Sequence, residues 1–264
     1  MRIGLAAALA ASMALAACAT VPPPPPPPPE APVAVPGYVA AAVADPARPK
    51  ADRERDAARK PAEVIAWAGI KPGMKVADLI PGGGYFTRIF SQVVGPRGHV
   101  YAYVPDELTK LANRPPSVNA IAADPHYRNV TVILRLLAQF GAPEKLDVVW
   151  TAQNYHDMHD SFMGPADLGK VNRAVYASLK PGGVFIVIDH SAQPGSGLRD
   201  TDTLHRIDAE QVKKEVLAAG FIFEGESRLL RNPADDRTLK VFDPKVRGET
   251  DQFIYKFRKP RSAK

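Results

Sequence analysis

The densest group of polar side chains in the sequence is the run QNYHDMHD, residues 153–160. An imidazole there can remove a proton from a hydroxyl or an amine, because a histidine pKa of about 6.5 leaves the ring largely unprotonated at neutral pH. We therefore predict His156 as a general base, with Asp157 orienting its ring. We also expect Asn154 and Tyr155 to position a substrate. The alternative is a histidine that only completes hydrogen bonds inside the fold.

A second candidate for chemistry is the glycine run in DLIPGGGYFTR, residues 78–88. Three residues without side chains let a ligand approach the backbone, and the free amides at the start of a following helix favour an anionic group such as a carboxylate. The run matches neither GxxxxGK nor GxGxxG. A plain turn therefore remains the alternative to a ligand-binding loop.

Two further histidines, His190 in VIDH and His205 in LHRID, could reach the same region as His156, His159 and Asp157. Imidazole and carboxylate groups together are suitable ligands for a transition metal. Their spacing matches no closed metal motif, and hydrogen bonding is the simpler interpretation of His190 and His205. We therefore predict no metal site, and a metal-assisted enzyme built on this cluster stays an alternative.

These groups must be positioned by a sheet, because apolar strand-like runs alternate with helical patterns along the chain. The runs are residues 75–80, 99–104, 130–136, 146–151 and 184–189. Several are nearly continuous in Val, Ile and Leu, as strands buried on both faces must be. This alternation predicts a parallel sheet covered on both sides, and ligands bind such sheets beyond the carboxyl ends of the strands. Residues 221–230 and 252–258 predict a final pair of antiparallel strands.

Four segments resemble, in order and spacing, the class I S-adenosylmethionine-dependent methyltransferases. They are MKVADLIPGGGYFTRIFSQVV, LDVVWTAQNYHD, VNRAVYASLKPGGVFIVID and VKKEVLAAGF, within about residues 60–260. The likeness is greatest to a bacterial group of exported methyltransferases. It implies an α/β, Rossmann-like fold with a seven-stranded, mostly parallel sheet, helices on both faces and an antiparallel final strand. It also implies methyl transfer from S-adenosylmethionine to an unidentified small molecule or envelope component.

The resemblance also implies which residues contact the cofactor. They are Asp78, Pro81, Gly82, Gly83, Gly84 and Tyr85 in the first motif, and Gln153 after the fourth strand. Three departures stand beside them. Ile80 occupies a position where the family usually has glycine, and RLLAQ replaces the acid expected after the third strand. No acid ends the second strand, so we predict that Asp106 binds the hydroxyl groups of the cofactor's ribose. An envelope binding protein that has lost the cofactor is the alternative.

The N-terminus predicts export. Residues 1–17 read as a signal peptide, too short to span a membrane comfortably, and LAAC resembles the lipobox of bacterial lipoproteins. Cys18, the only cysteine, would then carry the lipid; cleavage by the ordinary signal peptidase is the alternative. Residues 18–49 read as a Pro-rich linker, and residues 50–264 as the methyltransferase-like domain. Eight consecutive prolines would form a stiff spacer of about 25 Å.

The charge pattern excludes one class of partner. The net charge is +6, and the basic residues are scattered apart from the tail KFRKPRSAK. This pattern is typical of a solvated surface and not of nucleic-acid recognition. We expect a small-molecule substrate, a membrane contact through the lipid anchor, no nucleic-acid partner, and a place in the outer membrane facing the periplasm.

Overall fold

A central sheet organises the chain in the computed structural model, which describes residues 31–164 and 166–261. The predicted signal peptide, Cys18 and the run of eight prolines lie outside these residues. Seven strands occur within them: β1 (Lys75–Leu79), β2 (His99–Pro105), β3 (Val130–Arg135), β4 (Leu146–Ala152), β5 (Leu179–His190), β6 (Ile222–Ser227) and β7 (Gln252–Arg258). Their order across the sheet is β3-β2-β1-β4-β5-β7-β6.

The register confirms a mostly parallel sheet with an antiparallel final strand. Strand β1 lies between β2 and β4 and runs parallel to both, with Val76 opposite Val100 on one side and Val148 on the other. Strand β7 runs antiparallel to both β5 and β6. Strand β5 begins five residues earlier than the apolar run predicted, because Leu179 pairs with Leu146 before an irregularity in the ladder.

Helices cover both faces, as predicted. One face carries α1 (Gly37–Val43), α4 (Pro61–Ala68), α5 (Tyr85–Val94) and α7 (Asn119–Ala123), and the other carries α8 (Leu168–Ser178) and α10 (Ala209–Ala218). The strand residues divide between the faces with a period of two: Val148 and Trp150 join the first core, whereas Val149 joins the second.

Shorter helices are α2 (Lys50–Arg53), α3 (Asp56–Arg59), α6 (Asp106–Ala112) and α9 (Thr201–Leu204), with 3-10 turns at Pro125–Tyr127, Leu137–Gln139, His156–His159 and Ser161–Met163.

The folded part begins earlier than the sequence predicts. Helix α1 lies inside the predicted linker 18–49, and its Val39 and Ala42 are buried in the core formed with α4 and α5. Its sequence GYVAAAV contains no proline, so the Pro-rich composition of the region obscures an ordinary apolar helix. The linker prediction is therefore wrong for its last dozen residues. None of the helices in residues 31–164 and 166–261 has the length and hydropathy that a membrane span requires.

Candidate active site

The turn after β1 is shaped by backbone conformations that favour glycine. Gly84 has φ of 79° and precedes α5, and a Cβ there would lie 2.1 Å from Cδ1 of Ile121. At Gly83 a Cβ would meet no protein atom within 4 Å. The turn therefore needs glycine at position 84 for the fold, while position 83 faces open space.

Ile80 occupies the left-handed region in the same turn, with φ of 60°. This conformation is uncommon for a β-branched residue and costs about 1–3 kcal/mol. Its backbone N–H donates to the carbonyl of Tyr103, and its carbonyl accepts a 3.0 Å hydrogen bond from Asn154 Nδ2. Strands β2 and β4 thus hold the backbone in the conformation that a glycine would adopt freely.

A cavity of about 170 Å³ opens beside this turn, and we call it the glycine-loop cavity. It brings together most of the residues that the sequence analysis assigned to a cofactor. Its lining includes Asp78, Pro81, Gly82, Gly83, Tyr85, Gln153 and Asn154, together with Arg55, Arg59 and Phe86. The glycine run and the start of QNYHDMHD therefore meet at one cavity.

Arg55 and Arg59 are the residues in this cavity that the sequence analysis missed. Arg59 donates to Oε1 of Gln153, and its guanidinium lies 4.7 Å from the ring centre of Tyr85. Arg55 lies 4.9 Å from the same ring centre. The two arginines are four residues apart, which places them on one side of a helical segment. The spacing of these two arginines in RERDAAR, residues 53–59, could have indicated from the sequence that they share one side of a helix.

One ion pair and one hydroxyl hydrogen bond fasten this arginine segment, residues 48–59, to α5 after the glycine turn. Arg48 makes two hydrogen bonds of 2.8 and 2.7 Å to Asp56, which also accepts the hydroxyl of Tyr85 at 2.6 Å. Arg88 pairs with Asp52 at 3.0 Å and donates to the carbonyl of Gly83. The segment is therefore held against the cavity by contacts to α5 and its preceding turn.

Asp78 is the buried carboxyl group of the glycine-loop cavity. Burial raises the pKa of Asp78 to about 7, although the Thr87 hydroxyl, which donates to it at 2.6 Å, and the charge of Arg59 oppose that shift. The carboxyl is thus balanced between its neutral and ionised forms near neutral pH. A cationic ligand in the cavity would favour the ionised form.

His156 does not occupy the position predicted for a general base. Its side chain is buried, with Nδ1 2.8 Å from Asp189 and Nε2 3.1 Å from Asp157. Burial alone lowers the pKa of His156, but the two carboxylates outweigh it and raise the pKa to about 10. Both ring nitrogens are engaged and the ring is cationic at neutral pH. The prediction that His156 acts as a base is therefore wrong for this arrangement.

Tyr155 is also placed differently from the prediction. Its side chain is fully buried and its hydroxyl donates to Glu215 of α10 at 2.9 Å while accepting from Asn172 of α8 at 2.8 Å. It therefore joins two helices to the end of β4 and does not reach a substrate. Asp157 bridges two imidazoles, because its Oδ1 lies 3.5 Å from Nδ1 of His205 as well as beside His156.

A second cavity of about 290 Å³ adjoins the first through Arg59 and Gln153, and we call it the β7 cavity. Its walls include His190, Phe242, Arg247, Thr250 and Gln252. His190 makes a 2.7 Å hydrogen bond to Oγ1 of Thr250, and burial lowers its pKa to about 3, so its ring is neutral. It is the imidazole that lines this cavity.

The long connection between β6 and β7 closes one side of the β7 cavity. The buried Arg206 holds it through hydrogen bonds of 2.8 and 3.1 Å to Asp235. The buried Asp251 pairs with Arg231 and Arg237 at 3.0 Å each. The connection is therefore fixed by buried ion pairs although it lacks regular secondary structure.

Comparison with known proteins identifies the fold. No family model matches the chain. The ubiquinone/menaquinone biosynthesis C-methyltransferase UbiE of Vibrio cholerae is 28% identical over 148 residues, which make up 53% of this chain and 52% of that protein. UbiE of Shewanella sp. (strain ANA-3) is 28% identical over 181 residues, or 67% of this chain and 66% of that protein. The chain thus spans from about half to just under two thirds of the length of these curated relatives.

Solved structures extend the comparison. An S-adenosylmethionine-dependent methyltransferase from Mesorhizobium loti superposes with a TM-score of 0.52 at 17% identity, covering 76% of this chain and 97% of that chain. One from Aquifex aeolicus gives 0.50 at 19% identity, covering 76% and 89%. The [4+2]-cyclase SpnF gives 0.55 at 17% identity, covering 80% and 82%. The described domain has the class I methyltransferase fold.

One departure from the usual methyltransferase pattern is visible on the β2 side of the cleft. A cavity of about 470 Å³, the α6 cavity, runs from Ile80–Gly83 past Val104 and Leu108 to Pro115. Asp106 begins α6 directly after β2 but is not among the residues lining this cavity. The carboxylate of Glu107 accepts from the backbone N–H of Leu137 at 3.2 Å. The described lining of the α6 cavity therefore contains no carboxylate for a ribose.

A cavity larger than these three lies away from the carboxyl ends of the strands. It measures about 570 Å³ and is bordered by Gly95, Gly98, His99, His126 and Asn129, at the amino ends of β2 and β3. Ligands of this fold bind at the carboxyl ends of the strands. We therefore assign the functional cleft to the glycine-loop, α6 and β7 cavities in spite of their smaller volumes.

Proposed function

We propose that the protein is an S-adenosylmethionine-dependent methyltransferase. The observation that carries this proposal is the glycine-loop cavity, where Asp78, Gly82, Gly83, Asn154 and two arginines converge at the carboxyl ends of β1 and β4. The names of the UbiE relatives, together with the shared fold, support the same activity and the same cofactor.

The donor groups fit the amino-acid end of this cofactor. Arg59 stays charged at neutral pH and, with the amides at the start of α5, offers partners for a carboxylate. Asp78 is the anionic group available to an ammonium. When bound, the cofactor supplies an electrophilic methyl group. The nucleoside end would lie in the α6 cavity, between Val104, Leu108 and Pro115, where packing against apolar walls takes the place of hydrogen bonds from the ribose hydroxyls to a carboxylate.

The β7 cavity is the proposed site of the methyl acceptor. It adjoins the glycine-loop cavity through Arg59 and Gln153, and its described lining contains three arginines and no carboxylate. This balance of charge favours an acceptor that carries an anionic group close to Arg247. The neutral ring of His190 can accept a hydrogen bond from a hydroxyl or amine of the acceptor, although its low pKa makes it a weak base.

Calorimetric titration of the purified full chain with S-adenosylmethionine tests the cofactor assignment. We expect heat of binding and a rise in the melting temperature, both reduced in Arg59→Gln, which removes the guanidinium from the cavity. The absence of heat and of any thermal shift at millimolar cofactor would contradict the proposal. That result would favour the alternative, a binding protein that has lost the cofactor and holds another ligand in the same cleft.

A second measurement separates binding from catalysis. SpnF, a cyclase, has the same fold, so the fold alone does not specify methyl transfer. Incubation of the protein with methyl-labelled cofactor and a set of small anionic and neutral acceptors should label the anionic ones preferentially. Arg247→Gln should reduce that preference while leaving cofactor affinity unchanged. Cofactor binding with no labelled acceptor would leave the binding-protein alternative as the better account.

We also propose that the protein is a lipoprotein of the outer membrane, held through Cys18 and facing the periplasm. The support is the sequence alone: the signal-like residues 1–17, the lipobox-like LAAC and the single cysteine. Growth with labelled palmitate should label the wild-type chain and not Cys18→Ala. Fractionation should place the labelled form with the outer membrane, and an unlabelled wild-type chain would instead indicate cleavage by the ordinary signal peptidase.

A further inference from the structure

We infer that His156, Asp157 and His205 form a binding site for a divalent transition metal, with zinc the best match. The ligand atoms are Nε2 of His156, Oδ1 of Asp157 and Nδ1 of His205, which all lie within 4.8 Å of one another. This inference does not depend on the proposed methyltransferase activity. Two imidazole nitrogens and one carboxylate oxygen are a donor set that zinc accepts readily.

Two of the three separations between ligand atoms are close to those around a shared metal. Oδ1 of Asp157 lies 3.1 Å from Nε2 of His156 and 3.5 Å from Nδ1 of His205, and the two nitrogens lie within 4.8 Å of each other. A tetrahedral zinc ion bonded to nitrogen and oxygen at about 2.0–2.2 Å separates its ligand atoms by roughly 3.3–3.5 Å. A hydrogen bond to a protonated His156 would explain the shorter contact. It would not explain why a second imidazole nitrogen stands beside the same oxygen at 3.5 Å, too far for a strong hydrogen bond.

His156 is oriented as metal-binding histidines are. Asp189 lies 2.8 Å from its Nδ1 and accepts its backbone N–H through the other oxygen, so ring and backbone are both fixed. A carboxylate on the far nitrogen is the usual partner of a histidine ligand, because it sets the tautomer and increases the basicity of the ligand nitrogen. The remaining nitrogen, Nε2, faces Asp157 and His205, and an ion bound there replaces the proton that this nitrogen otherwise carries.

The surrounding charge supplies a second, independent observation. Asp160 is 1% exposed, and its described side-chain contact is with Thr201, not with a lysine or an arginine. It belongs to the same turn as Asp157, whose carbonyl accepts its backbone N–H at 3.0 Å. Among the described ion pairs, Asp157 and Asp189 meet imidazoles and no lysine or arginine. Three carboxylates beside two imidazoles, with no lysine or arginine among their described ion pairs, are a reason to look for a bound cation.

The site joins two distant parts of the chain at the wall of the β7 cavity. His156 follows β4, while His205 ends α9 in a left-handed conformation. The ring of His205 lies 5.0 Å from that of Phe242, which lines the β7 cavity. Three ligands leave a fourth position for water. The ion would therefore stabilise the folded state and brace the wall of the proposed acceptor cavity.

Metal titration of the purified full chain tests this inference without any use of S-adenosylmethionine. After removal of metal with a chelator, the probe is Co²⁺, whose visible absorption is intense in a four-coordinate site and weak in the hydrated ion. We expect one equivalent to bind, zinc to displace it, and either ion to raise the melting temperature. Metal analysis of untreated protein should find close to one equivalent of zinc.

Two ligand variants and one matched control complete the experiment. His205→Gln and Asp157→Asn should each weaken Co²⁺ binding at least tenfold, and both sites are partly exposed, so the fold should survive. His159→Gln changes the same residue type in the same turn, but its imidazole contacts Glu215 and not the cluster. Its Co²⁺ affinity should equal the wild type. Hexacoordinate spectra, or equal losses in all three variants, would overturn the inference.

Discussion

The two sides of the cleft are built from different interactions. On the side of β2, the α6 cavity presents backbone and mainly apolar walls, beside Ile80 in its strained conformation. On the side of β4 and β5, His156, Asp157 and Asp189 form a buried ionic network. The first side is shaped chiefly by sterics, and the second chiefly by charge.

This difference indicates which side of the cleft tolerates amino-acid substitution. An apolar cavity wall tolerates substitution at a modest cost, because its neighbours repack. A buried ion pair is strongly destabilised when one partner is removed, since the remaining charge stays uncompensated. We therefore expect the absent ribose acid to alter affinity on the first side, while changes on the second side alter the fold.

The largest effect should come from removal of Asp189. Asp189→Ala leaves the His156 imidazolium without its closest partner, and the loss of one member of a buried pair costs about 3–5 kcal/mol. Urea unfolding of metal-free protein at pH 7 measures the free energy directly. The matched change on the other side is Glu107→Ala, which removes a hydrogen bond worth about 1 kcal/mol. Equal losses in the two variants would contradict the contrast between the sides.

The next effect is a pH dependence carried by Asp78. Its pKa of about 7 in the fold exceeds the value of about 3.9 in an unfolded chain, so the folded state binds the extra proton between these values. Stability should therefore fall as pH rises from about 4 to 7, by on the order of 3 kcal/mol from this group. Asp78→Asn should flatten that part of the profile. An unchanged slope of unfolding free energy against pH in the variant would show that another group carries it.

A smaller effect, confined to ligand affinity, is expected on the first side. Gly83→Ala places a methyl group in open space beside the cavity and touches no protein atom within 4 Å. Overlap with a bound ligand should cost about 1–3 kcal/mol, or roughly 5–150-fold in the dissociation constant for S-adenosylmethionine. Gly37→Ala is the control, since its Cβ is equally unobstructed but belongs to α1. Calorimetry of both variants gives the comparison.

The smallest effect concerns the strain at Ile80. Ile80→Gly loses a buried side chain but relieves the left-handed conformation, whereas Ile186→Gly in β5 loses a buried side chain with no such relief. The first variant should be less destabilised than the second by about 1–2 kcal/mol. Thermal unfolding measures both. A larger loss at position 80 would mean that the turn is not strained by the isoleucine.

The sequence predicted the sheet well because its signal is local. Runs of Val, Ile and Leu buried on both faces identify strands wherever they occur, and the turn from β1 into α5 carries its own glycine requirement. The sequence analysis missed helix α1 because the helix is only seven residues long and the segment around it is rich in proline. The observed strand ends differ from the predicted ones where pairing with a neighbouring strand extends the ladder. The pairing of Leu146 with Leu179 is an example.

The site was predicted in part, because side-chain roles depend on distant partners. The assignment of His156 as a base was wrong because Asp189, 33 residues away in the sequence, occupies one of its ring nitrogens. Arg59 was missed because its partner Gln153 lies 94 residues further along the chain. Tyr155 follows the predicted strand, but only the packing of α8 and α10 determines that its hydroxyl points into the core.

These long separations also determine when the cleft comes into existence. The amide that braces the glycine turn reaches Ile80 across 74 residues, and Gln153 joins Gln252 across 99. Contacts of such high sequence separation form late, because closing large loops costs entropy before any contact compensates it. A partly folded chain therefore has no cleft to fill. A ligand of this site should slow unfolding while leaving the rate of folding unchanged.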